Sequence, residues 1–236
     1  PATAGLMLSN PFARIRMLGV DVGGGGNFYS VMIPQGLSPN LCPHDVPREA
    51  ERPILVSFCG HVKPKGVFPS LRPRIAELLK GIIEKDGEKD VHASLSQPHD
   101  QYTKLFFESK FCFVTPGDTS STSQGVRTMC GGCVPIWMYP DVRELPFVQI
   151  LSYPSFSLLY EPVQLETPED IHRLVDRLKV LLSSGEYDGA VENLHMARRF
   201  FDYDTTLPAS PYGAALASIL RDQAEHKCLA HGQAAR

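Results

Sequence analysis

The sequence predicts an α/β domain with a Rossmann-like, mostly parallel sheet and helices on both faces. Two near-continuous apolar runs, Pro53–Cys59 and Lys110–Thr115, suit strands buried on both sides. Stretches with apolar residues at helical spacing alternate with such runs, as in a series of right-handed βαβ crossovers. A turn rich in Gly, Pro and hydroxyls then follows the second run, where the carboxyl end of a strand in an open α/β sheet would bind a ligand.

The elements follow in order. Residues 1–51 read as an irregular approach segment, a linker or the remnant of an N-terminal lobe. Gly23–Gly26 is a flexible run, Pro34, Pro39, Pro43 and Pro47 break any long helix, and Phe28–Ile33 has the pattern of one short strand. The strand Pro53–Cys59 ends at Gly60. Ile75, Leu78, Leu79, Ile82 and Ile83 then mark an amphipathic helix over about 72–84. One short strand is expected around Val91, a helix over Tyr102–Ser109, a strand over Lys110–Thr115, a helix over about 123–131 and a strand over about 133–139. Phe147–Leu151 and Phe156–Tyr160 are further strand candidates. The clearest helix begins at Thr167, an N-cap followed by Pro168, Glu169 and Asp170, and ends at Gly185. Residues 52–186 thus form the main domain, and 187–236 a helical extension and tail.

Bulk composition narrows the function. The 236 residues are 43% hydrophobic and 21% charged with a net charge of -3, an ordinary globular mix. The absence of a basic run argues against nucleic acid as partner. No apolar run approaches the ~18 residues of a membrane span, so no membrane contact is expected from this chain. The N-terminus lacks a signal-peptide pattern and starts with Pro, which suggests a fragment or processed product.

Cys59 and Cys112 fall inside strand-like runs and read as buried, unpaired thiols. Cys130 and Cys133 have CxxC spacing, for which redox or metal chemistry is one reading and ordinary packing the stronger one, since no second CxxC or HxxxH completes a zinc set. No metal is expected.

The turn Pro116–Ser123 carries the chemistry. Gly117 lets backbone approach a ligand, Thr119, Ser120, Ser121, Thr122 and Ser123 offer hydroxyls, and the next helix offers its N-terminus. Such a turn suits a diphosphate. It is neither a P-loop nor a GxGxxG motif, and a Ser/Thr-rich capping loop without ligand is the other reading.

The run Ser109-Lys-Phe-Cys-Phe, then Pro116-Gly-Asp-Thr-Ser-Ser121, then Gly132-Cys-Val-Pro-Ile136, resembles the signature of the exostosin family of glycosyltransferases. Arg52–Gly60 is similar to that family's strand ending in Phe-x-Gly, Leu71–Ile75 to its I-R-x-x-L helix start, and Leu145–Phe147 with Tyr153–Ser157 to its P-F and F-S motifs. The likeness covers about 52–182. It implies the donor-binding C-terminal lobe of a GT-B enzyme, a UDP-sugar donor without bound metal, a glycan acceptor on a polysaccharide or glycoprotein, inverting transfer, and a Golgi setting. A second lobe and an anchor would belong to a longer protein, with the general base in that lobe, so catalysis by this chain alone is not expected.

Two positions depart from the family pattern. Gln124 stands where the family has an Arg that would fork onto the diphosphate. Arg127 stands where it has an acid suited to ribose hydroxyls, which a cation cannot accept. Gln124 and Arg127 are therefore read as altered donor contacts, and Arg72, at a helix start, as an added cation. These departures also sustain a different class of function, a non-catalytic relative that binds a glycan or a protein. A CxxC oxidoreductase is the third and weakest. His61, Lys63 and Lys65 are ligand contacts or solvated side chains, Asp118 a turn cap, Trp137 and Tyr139 packing or part of a base platform, and Asp202-Tyr-Asp204 a solvated loop despite its DxD look.

Overall fold

The computed structural model describes residues 17–18, 30–31, 42, 47, 51–61, 70–116, 122–139, 141–142, 145–148, 150–202 and 213. Met17–Leu18 (β1) pairs antiparallel with Ser30–Val31 (β2), inside the segment expected to hold one short strand at Phe28–Ile33. The main sheet has five strands: Ile54–Cys59 (β3), Val91–Ser94 (β4), Ser109–Val114 (β5), Val134–Met138 (β6) and Leu158–Tyr160 (β7). Their order is β4-β3-β5-β6-β7, and every pairing is parallel. The chain is therefore α/β with a Rossmann-like sheet, as its run-and-stripe pattern predicts.

Helices Leu71–Asp86 (α1), His99–Glu108 (α2), Ser123–Cys130 (α3), Pro168–Ser184 (α4) and Glu186–Arg198 (α5) connect and cover the strands. α1 exists because Leu71, Ile75, Ala76, Leu79 and Ile82 form one buried stripe; it stops at Gly87, whose φ of 68° only glycine adopts without cost. In α4, Thr167 and Asp170 form a reciprocal capping box, and Ile171, Leu174, Val175 and Leu178 face the core. Three links join α1 or its C-terminal turn to α4 or its start: Arg74–Glu166 at 3.1 Å, Lys179–Glu88 at 2.7 Å and His172–Asp86 at 2.6 Å. The step from β3 to β4 and the return from β4 past β3 to β5 run in opposite directions. Right-handed crossovers then place α1 and α2 on opposite faces.

The core between these layers is mainly apolar. Phe58, Phe111 and Phe113 are at most 1% exposed, and each contributes about 1.5–3 kcal/mol by leaving water. α5 belongs to the same core through Tyr187, Leu194 and Ala197, and the Tyr187 ring lies 5.2 Å from that of Phe111.

Three expectations need correction. Phe147–Leu151 is not a strand: Phe147 has a φ of 57° and its carbonyl accepts from both Ile150 N and Leu151 N at 2.9 Å, so this apolar run closes a turn. Its hydrophobicity reflects packing on the core, with Phe147 fully enclosed and Val148 and Leu151 half-buried against it, and not a pleated ladder. Cys112 is not an unpaired thiol; it is disulfide-bonded to Cys133, while Cys130 is bonded to Cys42. The CxxC cysteines thus pair outward with different partners, which removes both the dithiol redox reading and simple packing. Only Cys59 remains a free thiol among the described residues.

Candidate functional site

The strand order creates a topological switch point between β3 and β5, because their connections diverge to opposite sides. In open α/β sheets ligands bind at the carboxyl ends of the strands there. In this chain those ends are Cys59-Gly60-His61 and Thr115-Pro116.

Arg72, in the first turn of α1, reaches into this crevice. Its Nε donates to Thr115 Oγ1 at 3.1 Å and its Nη1 to the His61 carbonyl at 3.0 Å. Gly60 lies beside this path: a Cβ there would clash with the Phe58 ring, 2.8 Å from Cζ, and would stand in ordinary contact with Arg72 Cδ at 3.5 Å. No carboxylate pairs with Arg72 among the described residues, whereas its neighbour Arg74 is paired with Glu166. Arg72 is also the wrong sign for a helix N-terminus, where α1 has no acidic residue and no side-chain cap. A cation fixed in an unfavourable place, with no counter-ion among the described residues, is a site suited to an anion.

Gln124 lies directly beneath. It is 4% exposed, and its side chain turns into the sheet. Its Nε2 donates to the carbonyls of Cys59 at 2.9 Å and Phe113 at 2.8 Å, and its Oε1 accepts from Thr115 N and Oγ1, each at 3.4 Å. Gln124 thus ties the carboxyl ends of β3 and β5 together across the switch point. All its polar atoms are used within the protein, so it does not reach outward as a donor contact.

α3 begins beside this tie. Thr122 is its N-cap, and the Thr122 hydroxyl accepts from Gly125 N at 3.3 Å. Thr122 and Ser123 are therefore at the helix end that the sequence pointed to. Gly117, Asp118, Thr119, Ser120 and Ser121 lie outside the described residues, as do Lys63 and Lys65. Arg127, one turn into α3, is held against α2: its Nη1 donates to Thr103 Oγ1 at 3.4 Å, and its guanidinium lies 5.6 Å from the centre of the Tyr102 ring.

Burial sets the electrostatics. Desolvation pushes the Tyr102 hydroxyl up to about 12 and the Cys59 thiol up to about 11, so both are neutral at physiological pH. The same effect lowers Arg127, partly offset by Tyr102. Cys59 is thus no nucleophile, although it ends β3 at the crevice.

The remaining candidates disperse. His61 enters through its carbonyl, with its ring on an exposed residue. Trp137 and Tyr139 are 2% and 4% exposed, which favours packing over a base platform. Asp202 is described and Asp204 is not. Among the described residues no group of three or more His, Cys, Asp and Glu side chains is placed to hold a metal, and no helix is long and apolar enough to cross a membrane. Sequence reasoning missed Thr115, whose signal was a hydroxyl closing a strand just before Pro116-Gly117.

Comparison with known proteins gives three results. The crystal structure of MurG from Acinetobacter baumannii is similar at a TM-score of 0.40 and 12% sequence identity, over 71% of this chain and 50% of that one. The chain therefore spans about half the length of that protein. No curated protein matches. The family model of the Exostosin GT47 domain matches residues 28–178, well over half the chain, and takes in β3 through most of α4 with Arg72, Thr115, Gln124 and α3. By that match, the chain belongs to the exostosin GT47 family.

Proposed function

We propose that this chain is the donor-binding lobe of a two-lobed GT-B glycosyltransferase, taking a UDP-sugar at the β3–β5 switch point. The observation that carries the reading is Arg72, a cation fixed at that point with no carboxylate partner among the described residues. The diphosphate lies between Arg72 and the N-terminus of α3, held by Thr122 and Ser123 with Gly117, Thr119, Ser120 and Ser121 of the preceding turn. In the transfer an acceptor hydroxyl of a glycan attacks the anomeric carbon with inversion, and UDP leaves. Charge growing on the departing phosphate is stabilised by Arg72 and the helix end, so no bound metal is needed. The general base comes from a second lobe. Gln124 and Arg127 make no direct diphosphate contact in this scheme. A Golgi lumen is the proposed setting, supported by family membership and by two disulfides, which persist in oxidising compartments.

Thermal unfolding with UDP, UDP-sugars and GDP tests the reading. Binding should raise Tm with ligand concentration, by about 2.7 kcal/mol of stabilisation at a hundredfold excess over Kd. No shift at millimolar UDP would overturn it. That result would favour a non-catalytic relative that binds a glycan or protein. One observation already speaks for that alternative: Gln124 is turned inward and Arg127 is held on α2, so two positions where the family pattern has donor contacts are otherwise engaged.

A further inference from the structure

We infer that Thr115 and Gln124 are positioning residues that aim Arg72 at the donor's diphosphate through a one-way hydrogen-bond relay. The inference rests on the donor-lobe reading above. Donor and acceptor accounting fixes the relay. The Cys59 and Phe113 carbonyls can only accept, so both take N–H bonds from Gln124 Nε2, at 2.9 and 2.8 Å. The amide orientation is thereby set, and Gln124 Oε1 must accept. Thr115 N–H supplies one bond to it, and the Thr115 hydroxyl supplies the other, each at 3.4 Å. With its proton committed to Gln124, Thr115 Oγ1 turns a lone pair toward Arg72 Nε, 3.1 Å away. The His61 carbonyl takes Nη1 at 3.0 Å as the second anchor.

Two anchors on a planar guanidinium fix its plane and leave Nη2 as the donor edge without a partner among the described residues. Thr115 and Gln124 are 0% and 4% exposed, so the relay is shielded from competing water. It connects the two strand ends of the switch point with the cation above them. Arg72 is consequently pre-oriented before any ligand arrives, which spares the ordering cost of a long side chain on binding. In this arrangement the Gln found in place of the family's Arg acts indirectly, by directing a cation from another helix.

Titration calorimetry with UDP and with uridine separates this role from mere support of the fold, because uridine lacks the diphosphate. Thr115→Val keeps the shape and breaks the relay. It should weaken UDP about tenfold, the worth of one well-made charge-assisted hydrogen bond, and leave uridine unchanged; Thr115→Ser should restore UDP. Wild-type protein that binds UDP while Thr115→Val retains the wild-type ratio of UDP to uridine affinity overturns the relay alone. Wild-type protein that binds no UDP overturns the donor-lobe reading and the relay with it. Should Thr115→Val not fold, Arg72→Lys keeps the charge without the two-point hold. An unchanged ratio in that variant is equally fatal to the relay.

Discussion

Gly125, in the first turn of α3, rests against the tip of the Trp137 indole on β6: a Cβ there would stand 2.9 Å from both Cη2 and Cζ3. Trp137 is enclosed by the rings of Tyr139 and Tyr153 at 5.8 and 5.5 Å and is 2% exposed, so it has little room to retreat. Gly125→Ala should therefore push α3 away from the sheet, at a cost of about 1–3 kcal/mol. Urea unfolding measures the loss. Trp137 is the chain's one tryptophan, so its emission should report the displacement directly.

Arg52 organises the opposite end of the sheet. It is 2% exposed and donates to the carbonyls of Phe106 at 3.0 Å, Ser109 at 2.7 Å, Gly131 at 2.7 Å and Pro47 at 3.2 Å. Burial lowers its pKa, yet guanidinium stays charged at any physiological pH. Arg52→Met should cost about 3 kcal/mol or more, since it strands several buried carbonyls at once. Arg52→Lys should recover only part, because a single ammonium cannot span the fork's acceptors. Chemical denaturation of both variants decides the matter, and a loss under 1 kcal/mol in Arg52→Met would contradict this role.

The two disulfides fasten the far end of α3. Cys42–Cys130 and Cys112–Cys133 span 88 and 21 residues of sequence. Closing such loops is worth about 4.5 and about 3 kcal/mol in the chain-entropy account. Reductant should accordingly lower the denaturation midpoint sharply, and Cys112→Ser alone by the smaller amount. Peptide mapping of native protein should recover both pairs. Cys59 should resist alkylation until the chain unfolds, because burial holds its thiol near a pKa of about 11.

His172 should make stability depend on pH. Its Nε2 faces Asp86 Oδ2 at 2.6 Å and its Nδ1 faces the Pro168 carbonyl at 2.7 Å. Both neighbours are acceptors, so only the doubly protonated ring satisfies both. These bonds raise its pKa above the ordinary imidazole value, led by the Asp86 contact. The stabilisation is thus fully present below the unfolded pKa near 6.5 and fades as pH rises through the higher folded value. Asp170 acts elsewhere: bonds from Thr167, Glu166 and Arg173 hold its carboxyl well below the usual range, so its contribution fades only under strong acid. Burial lowers His92 and His195 and so acts in the opposite sense, which makes the difference between variants the readout: from pH 5.5 to 8.5 the Tm of the wild type should fall relative to that of Asp86→Asn. Equal slopes would remove His172 as the cause.

Much of this protein is local and therefore legible in the chain itself. Apolar runs such as Ile54–Cys59, the stripe of α1, the cap at Thr167 and the glycine at 185 depend on short-range spacing and backbone sterics. The linked motifs from Arg52 to Ser157 likewise announced the family before any strand was paired. Spacing failed at Phe147–Leu151, because burial and strand formation leave the same hydrophobic mark. It failed again for the cysteines, since which thiols meet across 88 and 21 residues depends on the folded path. The switch point was likewise a product of strand order. Only in three dimensions does Arg72 meet Thr115, 43 positions away, and only there does Gln124 turn inward to hold two strand ends. Spacing in a chain encodes what neighbouring backbone can do, whereas the direction of a buried polar side chain follows from which donors and acceptors the fold brings within reach.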